Sequence, residues 1–354
     1  MKRTLMKPAG VLTALVIAAA SLTLGTAAAK GSHGVRHAAE EDRIVYSSRS
    51  CPAMEDYGSA QCTFEIFSVG LDGGAPEQIL STFGTDDILP TYSPDGSEIA
   101  FISWDKALGC DSHVWLMGSD GSDPLMVSSP VNAWEESIGW TPNGKIAFTH
   151  WPNDPACQYG FHGDLHLLSR SGDLWSQEPL LTRPGTEYAP TFSPDGRFVV
   201  YTFDPDDDGI SSEGESNATN IWRSDADGSG PHVRLTRTRK LDENWPSWSP
   251  DGRHVAFFRG DERSPWYQSG WGHIWIMDAD GSNKHRLTPK GGLDVTPVWS
   301  PDGKKIAFTR CTPAANQYDC AIAVVSLARP DHIRIVADRE GYMDIHPSWA
   351  PATS

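Results

Sequence analysis

The chain has 354 residues, with 29 Lys or Arg against 46 Asp or Glu and a formal net charge of −17. A field of that sign argues against nucleic acid and anionic membrane surfaces as partners. It fits a soluble exported protein, a cation or a basic partner.

In chain order, residues 1–29 read as a secretory signal. Lys2, Arg3 and Lys7 form a basic start, Val11 to Leu24 an apolar stretch, and Ala27-Ala28-Ala29 a small-residue cleavage site. The apolar run is too short for a membrane span, and no Cys follows it to accept a lipid. Removing the signal takes away three basic residues and no acidic ones, leaving 26 against 46 and a net charge of −20. Residues 30–42 carry Gly, His, Ala and charge without periodicity and are expected to be a flexible lead-in. The remainder, 43–354, is expected to be one domain, a monomer with no further membrane segment.

That remainder repeats itself. Pro90-Thr91-Tyr92-Ser93-Pro94-Asp95-Gly96 is followed by Trp140-Thr141-Pro142-Asn143-Gly144 and Pro190-Thr191-Phe192-Ser193-Pro194-Asp195-Gly196. Pro246-Ser247-Trp248-Ser249-Pro250-Asp251-Gly252, Pro297-Val298-Trp299-Ser300-Pro301-Asp302-Gly303 and Pro347-Ser348-Trp349-Ala350-Pro351 complete the series. The turn prolines at 94, 142, 194, 250, 301 and 351 are spaced by 48, 52, 56, 51 and 50 residues. A period near that length with no helical pattern predicts an all-β fold, a six-bladed β-propeller of four-stranded antiparallel blades. The Pro-x-aromatic segment is the first strand, and the turn after it uses Pro to preset φ and Gly to accept a positive one. Runs such as Ile99-Ala100-Phe101, His113-Val114-Trp115 and Val233-Arg234-Leu235 are the second, third and fourth strands. One aromatic per unit (Tyr92, Trp140, Phe192, Trp248, Trp299, Trp349) is expected to pack between adjacent blades.

The ends of the repeat region complete one another. Ile44-Val45-Tyr46 matches a second strand with no first strand before it, and Trp349 marks a first strand with no second after it. The C-terminal first strand is therefore expected to pair with the N-terminal strands, closing the ring and hiding its sheet edges.

Chemistry is expected on the face that carries the long second-to-third strand loops, 47–64, 103–112, 150–163, 203–218, 259–272 and 309–319. Three residues before each first-strand Pro, or before its equivalent Gly139, stands an acid: Asp87, Glu136, Glu187, Glu243, Asp294 and Asp344. With His346 they are expected at the channel mouth. Such a ring either anchors the loops by accepting backbone hydrogen bonds or receives a metal or a cationic peptide segment. One loop also matches D-x-D-x-D-G-x5-E, with Asp204, Asp206, Asp208 and Glu215 as calcium-ligating side chains and Ile210 giving its carbonyl. The other reading of that loop is a solvated acidic segment. Six cysteines in an exported chain suggest disulfides that staple loops, as Cys51–Cys62, Cys110–Cys157 and Cys311–Cys320, although other connectivities are open. No G-x-S-x-G, P-loop or H-E-x-x-H motif occurs.

The Ser-Pro-Asp-Gly repeat, with its Pro-x-Trp lead and Ile-Ala-Phe follow-on, resembles the β-propeller of the TolB family over roughly residues 43–351. The resemblance implies a periplasmic propeller that binds envelope proteins, among them a peptidoglycan-associated lipoprotein, through its channel face. The chain is expected to depart from TolB proper in lacking the additional N-terminal domain, with the short segment 30–42 before the first strand. Related propellers form the lids of prolyl oligopeptidases, but no hydrolase domain is seen here. The expected function is thus an exported, non-catalytic module, secreted or in the cell envelope. It would bind a protein or peptide at its long-loop face and channel mouth, with calcium as the expected stabilising ion. The alternative is a propeller enzyme, a lyase or hydrolase of polysaccharide or peptide using the mouth acids and His346.

Overall fold

The turn chemistry sets the repeat. In the computed structural model, Ser93 Oγ donates to Asp95 Oδ1 at 2.7 Å and accepts the Glu98 amide at 3.0 Å, while Gly96 takes a φ of 74°. Ser193, Ser249 and Ser300 make the same bonds to Asp195, Asp251 and Asp302, each at 2.6 Å. Thr141 and Asn143 substitute in the variant unit, also at 2.6 Å. The structure describes residues 42–50, 63–72, 74–81, 85–105, 111–129, 133–152, 162–205, 219–238, 241–260, 272–313, 318–339 and 342–352. The expected signal and nearly all of the lead-in lie outside them.

Among the described residues, 24 strands form six antiparallel sets of four. Blade 1 joins the C-terminal strand Tyr342–Trp349 to Arg43–Ser50, Thr63–Gly70 and Glu77–Leu80. Blade 2 is Thr85–Tyr92, Glu98–Asp105, Ser112–Gly118 and Leu125–Met126, and blade 3 is Ala133–Trp140, Ile146–Pro152, Asp164–Ser171 and Leu174–Leu181. Blade 4 is Thr186–Phe192, Phe198–Asp204, Asn220–Asp225 and Val233–Arg234. Blade 5 is Glu243–Trp248, His254–Gly260, Gly272–Asp278 and His285–Arg286. Blade 6 is Leu293–Trp299, Lys305–Pro313, Tyr318–Ser326 and Arg329–Ala337. Single parallel bridges, Gly272 to Leu293 and Cys320 to Met343, link blades 5, 6 and 1 into one extended sheet.

Ring closure follows the expected pairing. Ile44 sits opposite Trp349 and Ser48 opposite Asp344 in an antiparallel ladder. The second strands are buried on both faces, which explains why they read as continuous apolar runs rather than alternating ones. Ala256 packs toward Trp299, while its neighbour Phe257 packs toward Trp248. Each first-strand aromatic fills the preceding blade's core. Tyr92 meets Val45 and Ile66, Trp140 meets Ala100 and Val114, and Phe192 meets Ala147 and Leu165. Trp248, Trp299 and Trp349 do the same against blades 4, 5 and 6. Three indoles also donate back to the preceding first strand: Trp140 to the Thr91 carbonyl (3.1 Å), Trp299 to Ser247 (3.1 Å) and Trp349 to Val298 (3.2 Å).

The segment 309–319, expected as a loop, is largely strand. Its two arms run to Pro313 and from Tyr318, and Cys311 and Cys320 face each other across the ladder. They form the expected disulfide. The other four cysteines, Cys51, Cys62, Cys110 and Cys157, lie outside the described residues.

Candidate functional site

The first strands are the innermost of each blade, so they wall the central channel. All six carry the same irregularity. Leu89, Ser137, Ala189, Trp245, Thr296 and His346 have φ values of 57, 53, 52, 54, 52 and 56°. At each, the ladder to the second strand slips by one residue, a bulge that places one extra residue on the inner strand. A non-glycine residue in this left-handed region costs about 1–2 kcal/mol. Five of the six precede a proline, but Ser137 precedes Ile138 and is bent equally. The ring, rather than the proline, imposes the bend. Hydroxyls of the preceding blade help to hold it: Ser47 Oγ accepts the Leu89 amide at 3.1 Å, and Thr309 Oγ1 accepts the His346 amide at 3.0 Å.

These six residues and the two or three after each enclose a channel of about 280 Å³. Its wall is Pro, Ser, Thr, Gly, Leu, Ile, Val and Ala with three aromatic residues and His346, and among the described residues it contains no Asp, Glu, Lys or Arg. Gly139 is required there, because a Cβ would collide with the Pro190 carbonyl of the next first strand. Trp245 and His346 meet with ring centroids 5.9 Å apart and planes 35° apart, and Tyr188 lies edge-on to Trp245 at 6.4 Å. Burial pulls the His346 pKa down to about 4, so the ring is neutral at physiological pH.

The expected acids stand behind this wall. Asp87, Glu187, Glu243, Asp294 and Asp344 are all fully buried, two residues before the bend. The sixth position needs correcting. Ile138, not Gly139, replaces the first-strand Pro of blade 3, so the equivalent acid is Glu135, which is 1% exposed. Glu136 falls one step out of phase, beside Tyr188, and burial pushes its carboxyl pKa up against a hydrogen bond from Trp134. None of the seven carboxylates lines the channel.

Their partners show what they hold. Asp87 accepts Ser103 Oγ at 2.6 Å. Glu135 Oε2 accepts the Val114 amide at 2.8 Å and the Ser128 hydroxyl, both from blade 2. Glu243 accepts Thr238 Oγ1 at 2.8 Å, and Arg259 lies 3.5 Å from its other oxygen. Asp294 takes Arg310 in a two-point pair at 2.7 and 3.0 Å. Asp344 accepts the Ser48 hydroxyl, with Arg339 3.5 Å away and stacked over Phe67 and Tyr342. Burial raises the Asp344 pKa, and Ser48 and Arg339 oppose that shift. Of the expected calcium set, Asp204 is the buried last residue of its strand, and Asp206, Asp208, Ile210 and Glu215 lie outside the described residues. Most of the expected long-loop face lies outside them too.

Ser137, Trp245 and Thr296 escaped sequence reasoning. Counting back from the repeated aromatic, rather than from the proline, would have located them and would have selected Glu135.

A family model described as the TolB beta propeller domain matches residues 182–354. The uncharacterized protein Atu1656 of Agrobacterium fabrum is 30% identical over 228 residues, covering 62% of this chain and 69% of that protein. The chain belongs to the TolB-like β-propeller family. The Tol-Pal system protein TolB of Zymomonas mobilis is 40% identical to this TolB-like chain over 76 residues, which is 21% of the chain and 14% of that protein. The TolB-like chain thus spans only a small part of that relative's length. In three dimensions it matches the crystal structure of TolB from Acinetobacter baumannii with a TM-score of 0.64 at 19% identity, covering 88% of this chain and 67% of that one. That likeness concerns the fold alone.

Proposed function

We propose that this protein is an exported propeller, secreted or resident in the cell envelope, that binds a protein or peptide partner through its central channel. The supporting observation is the wall itself. Six inner strands present one edge each and a set of neutral side chains around Trp245 and His346, with the repeat's acids buried behind the wall. Binding sites of this kind combine an apolar enclosure with a few fixed polar groups. Membership of the TolB-like family and the naming of one relative as a Tol-Pal system protein support an envelope setting. A lyase or hydrolase would need an acid–base pair within reach of its substrate. His346 and Tyr92 are the titratable side chains in the wall, and no observation favours that reading.

The test is capture of partners from an envelope and culture fraction by immobilised protein and by its Trp245→Ala variant. Calcium and a chelator are compared in parallel. A partner held by the native channel and released by the variant is the expected result. Equal capture by both refutes the channel as the binding site.

A further inference from the structure

The channel wall carries enough detail to say what chemistry it takes. The first feature is charge. The chain is strongly acidic, yet among the described residues its channel wall carries no charged side chain, the repeated acids being buried behind it. Neither a cation nor an anion seated there would meet a counter-charge in the wall. Either would lose its hydration without compensation.

The second feature is Ser137. It lines the channel, is 1% exposed, and its Oγ has no hydrogen-bond partner among the described residues. The hydroxyls of the preceding blade that anchor other bends have no counterpart here, since the position equivalent to Ser47 and Thr309 is Ile102. A buried hydroxyl left so is a standing penalty, and because the Oγ is closed to solvent as it stands, a ligand's amide removes that penalty only when the Ser137 side chain turns about χ1 into the channel. The third feature is the pair of rings, Trp245 and His346, projected from blades 5 and 1. The His346 Nδ1 is likewise buried without a partner among the described residues. Finally, 280 Å³ exceeds the ~150 Å³ of a cavity that takes one benzene ring, room for one aromatic side chain and its peptide group.

We propose that the channel accepts a single uncharged aromatic side chain of a protein or peptide partner, its ring against Trp245 and His346 and its adjoining amide on Ser137 Oγ. This rests on the channel being the partner site. The rings offer offset faces of the kind aromatic groups prefer, and Ser137 fixes the depth of insertion.

The test uses ligand-observed NMR with three amides: N-acetyl-phenylalaninamide, N-acetyl-lysinamide and N-acetyl-glutamic acid amide. The phenylalanine derivative is expected to bind and the two charged ones not to. Ser137→Ala should weaken binding about 5-fold, the worth of one neutral hydrogen bond. Trp245→Ala should abolish it, and Trp245→Phe, which keeps an aromatic face, should retain it even if the alanine variant proves too unstable to assay. Charged amides binding as well as the aromatic one overturn the proposal, as does silence from all three. Capture of the native partner separates the two levels. If the probes fail while Trp245→Phe or Trp245→Ala still alters capture, the channel stands and the ligand chemistry is wrong. If capture is also indifferent, the channel reading falls with it.

Discussion

Trp349→Ala probes how firmly the ring is closed. The indole is 7% exposed, packs with Ile44, Tyr46, Phe67, Ala307 and Ile322, and donates to the Val298 carbonyl at 3.2 Å. Truncating a buried Trp costs about 3–5 kcal/mol. Trp299→Ala removes the corresponding ring from blade 6, where the chain is continuous, and supplies the reference. The closing strand, however, could in principle detach as a unit. Its mutational cost would then be capped at the free energy of detachment, because a strand already lost gains nothing from its Trp. Six register pairs and the Ser48–Asp344–Arg339 cluster hold it. The two variants should therefore lose nearly equal stability, each about 3–5 kcal/mol. Urea unfolding followed by far-UV circular dichroism measures this, provided the slopes agree between variants. A loss below ~1 kcal/mol for Trp349→Ala beside a full loss for Trp299→Ala would refute a firm closure.

Deleting residues 342–354 should open the ring and lower the melting temperature sharply; an unchanged melting temperature would sink the closure. Arg310→Ala leaves Asp294 buried without its two-point partner and should cost about 3–5 kcal/mol, whereas replacing both by apolar residues of similar volume should cost less, read by the same urea titrations. In the turns, hydrogen bonds from Ser93, Ser193 and Ser249 hold Asp95, Asp195 and Asp251 below their ordinary pKa of 3.8. The unfolded chain takes up those protons first as pH falls. Their stabilisation is therefore complete above 3.8 and is lost through the lower folded values. Alanine at the three serines should flatten the acid limb of a melting-temperature profile, and an unaltered limb contradicts the assignment. Calcium should raise the melting temperature of chelator-stripped protein, and Asp206→Ala should remove the rise; no response to calcium discards the loop as a site.

The repeat was legible because the same local chemistry recurs in it. Pro and Gly dictate the turn, Ser and Asp cap it, and the aromatic reports the phase. The buried acids were legible in five units and misread by one residue in the sixth, because Gly139 imitates the missing proline while Ile138 holds its place. The channel was not legible. Leu89, Trp245 and His346 have no local reason to adopt positive φ, so nothing in their residue types announces the bend. It exists because six blades must meet around one axis, and the surrounding ladders outweigh the local preference. The same concealment applies to the acids' role. A carboxylate at a repeated phase reads equally well as a ligand or as an anchor, and only its burial beside Ser103 or Arg310 of its own blade, or the Val114 amide of the neighbouring one, decides for the anchor.

The bent position also behaves as a register of variable characters. Two residues upstream, the six units write only Asp or Glu; at the bend they write Leu, Ser, Ala, Trp, Thr and His, all with φ between 52 and 57°. Backbone shape there is common property, while the side chains differ in their ties: the Thr296 hydroxyl lies 3.0 Å from Thr309 Oγ1, Leu89 packs into a blade core, and Trp245 meets Tyr188 and His346. Each unit therefore contributes its own residue type at one fixed backbone position of the channel wall.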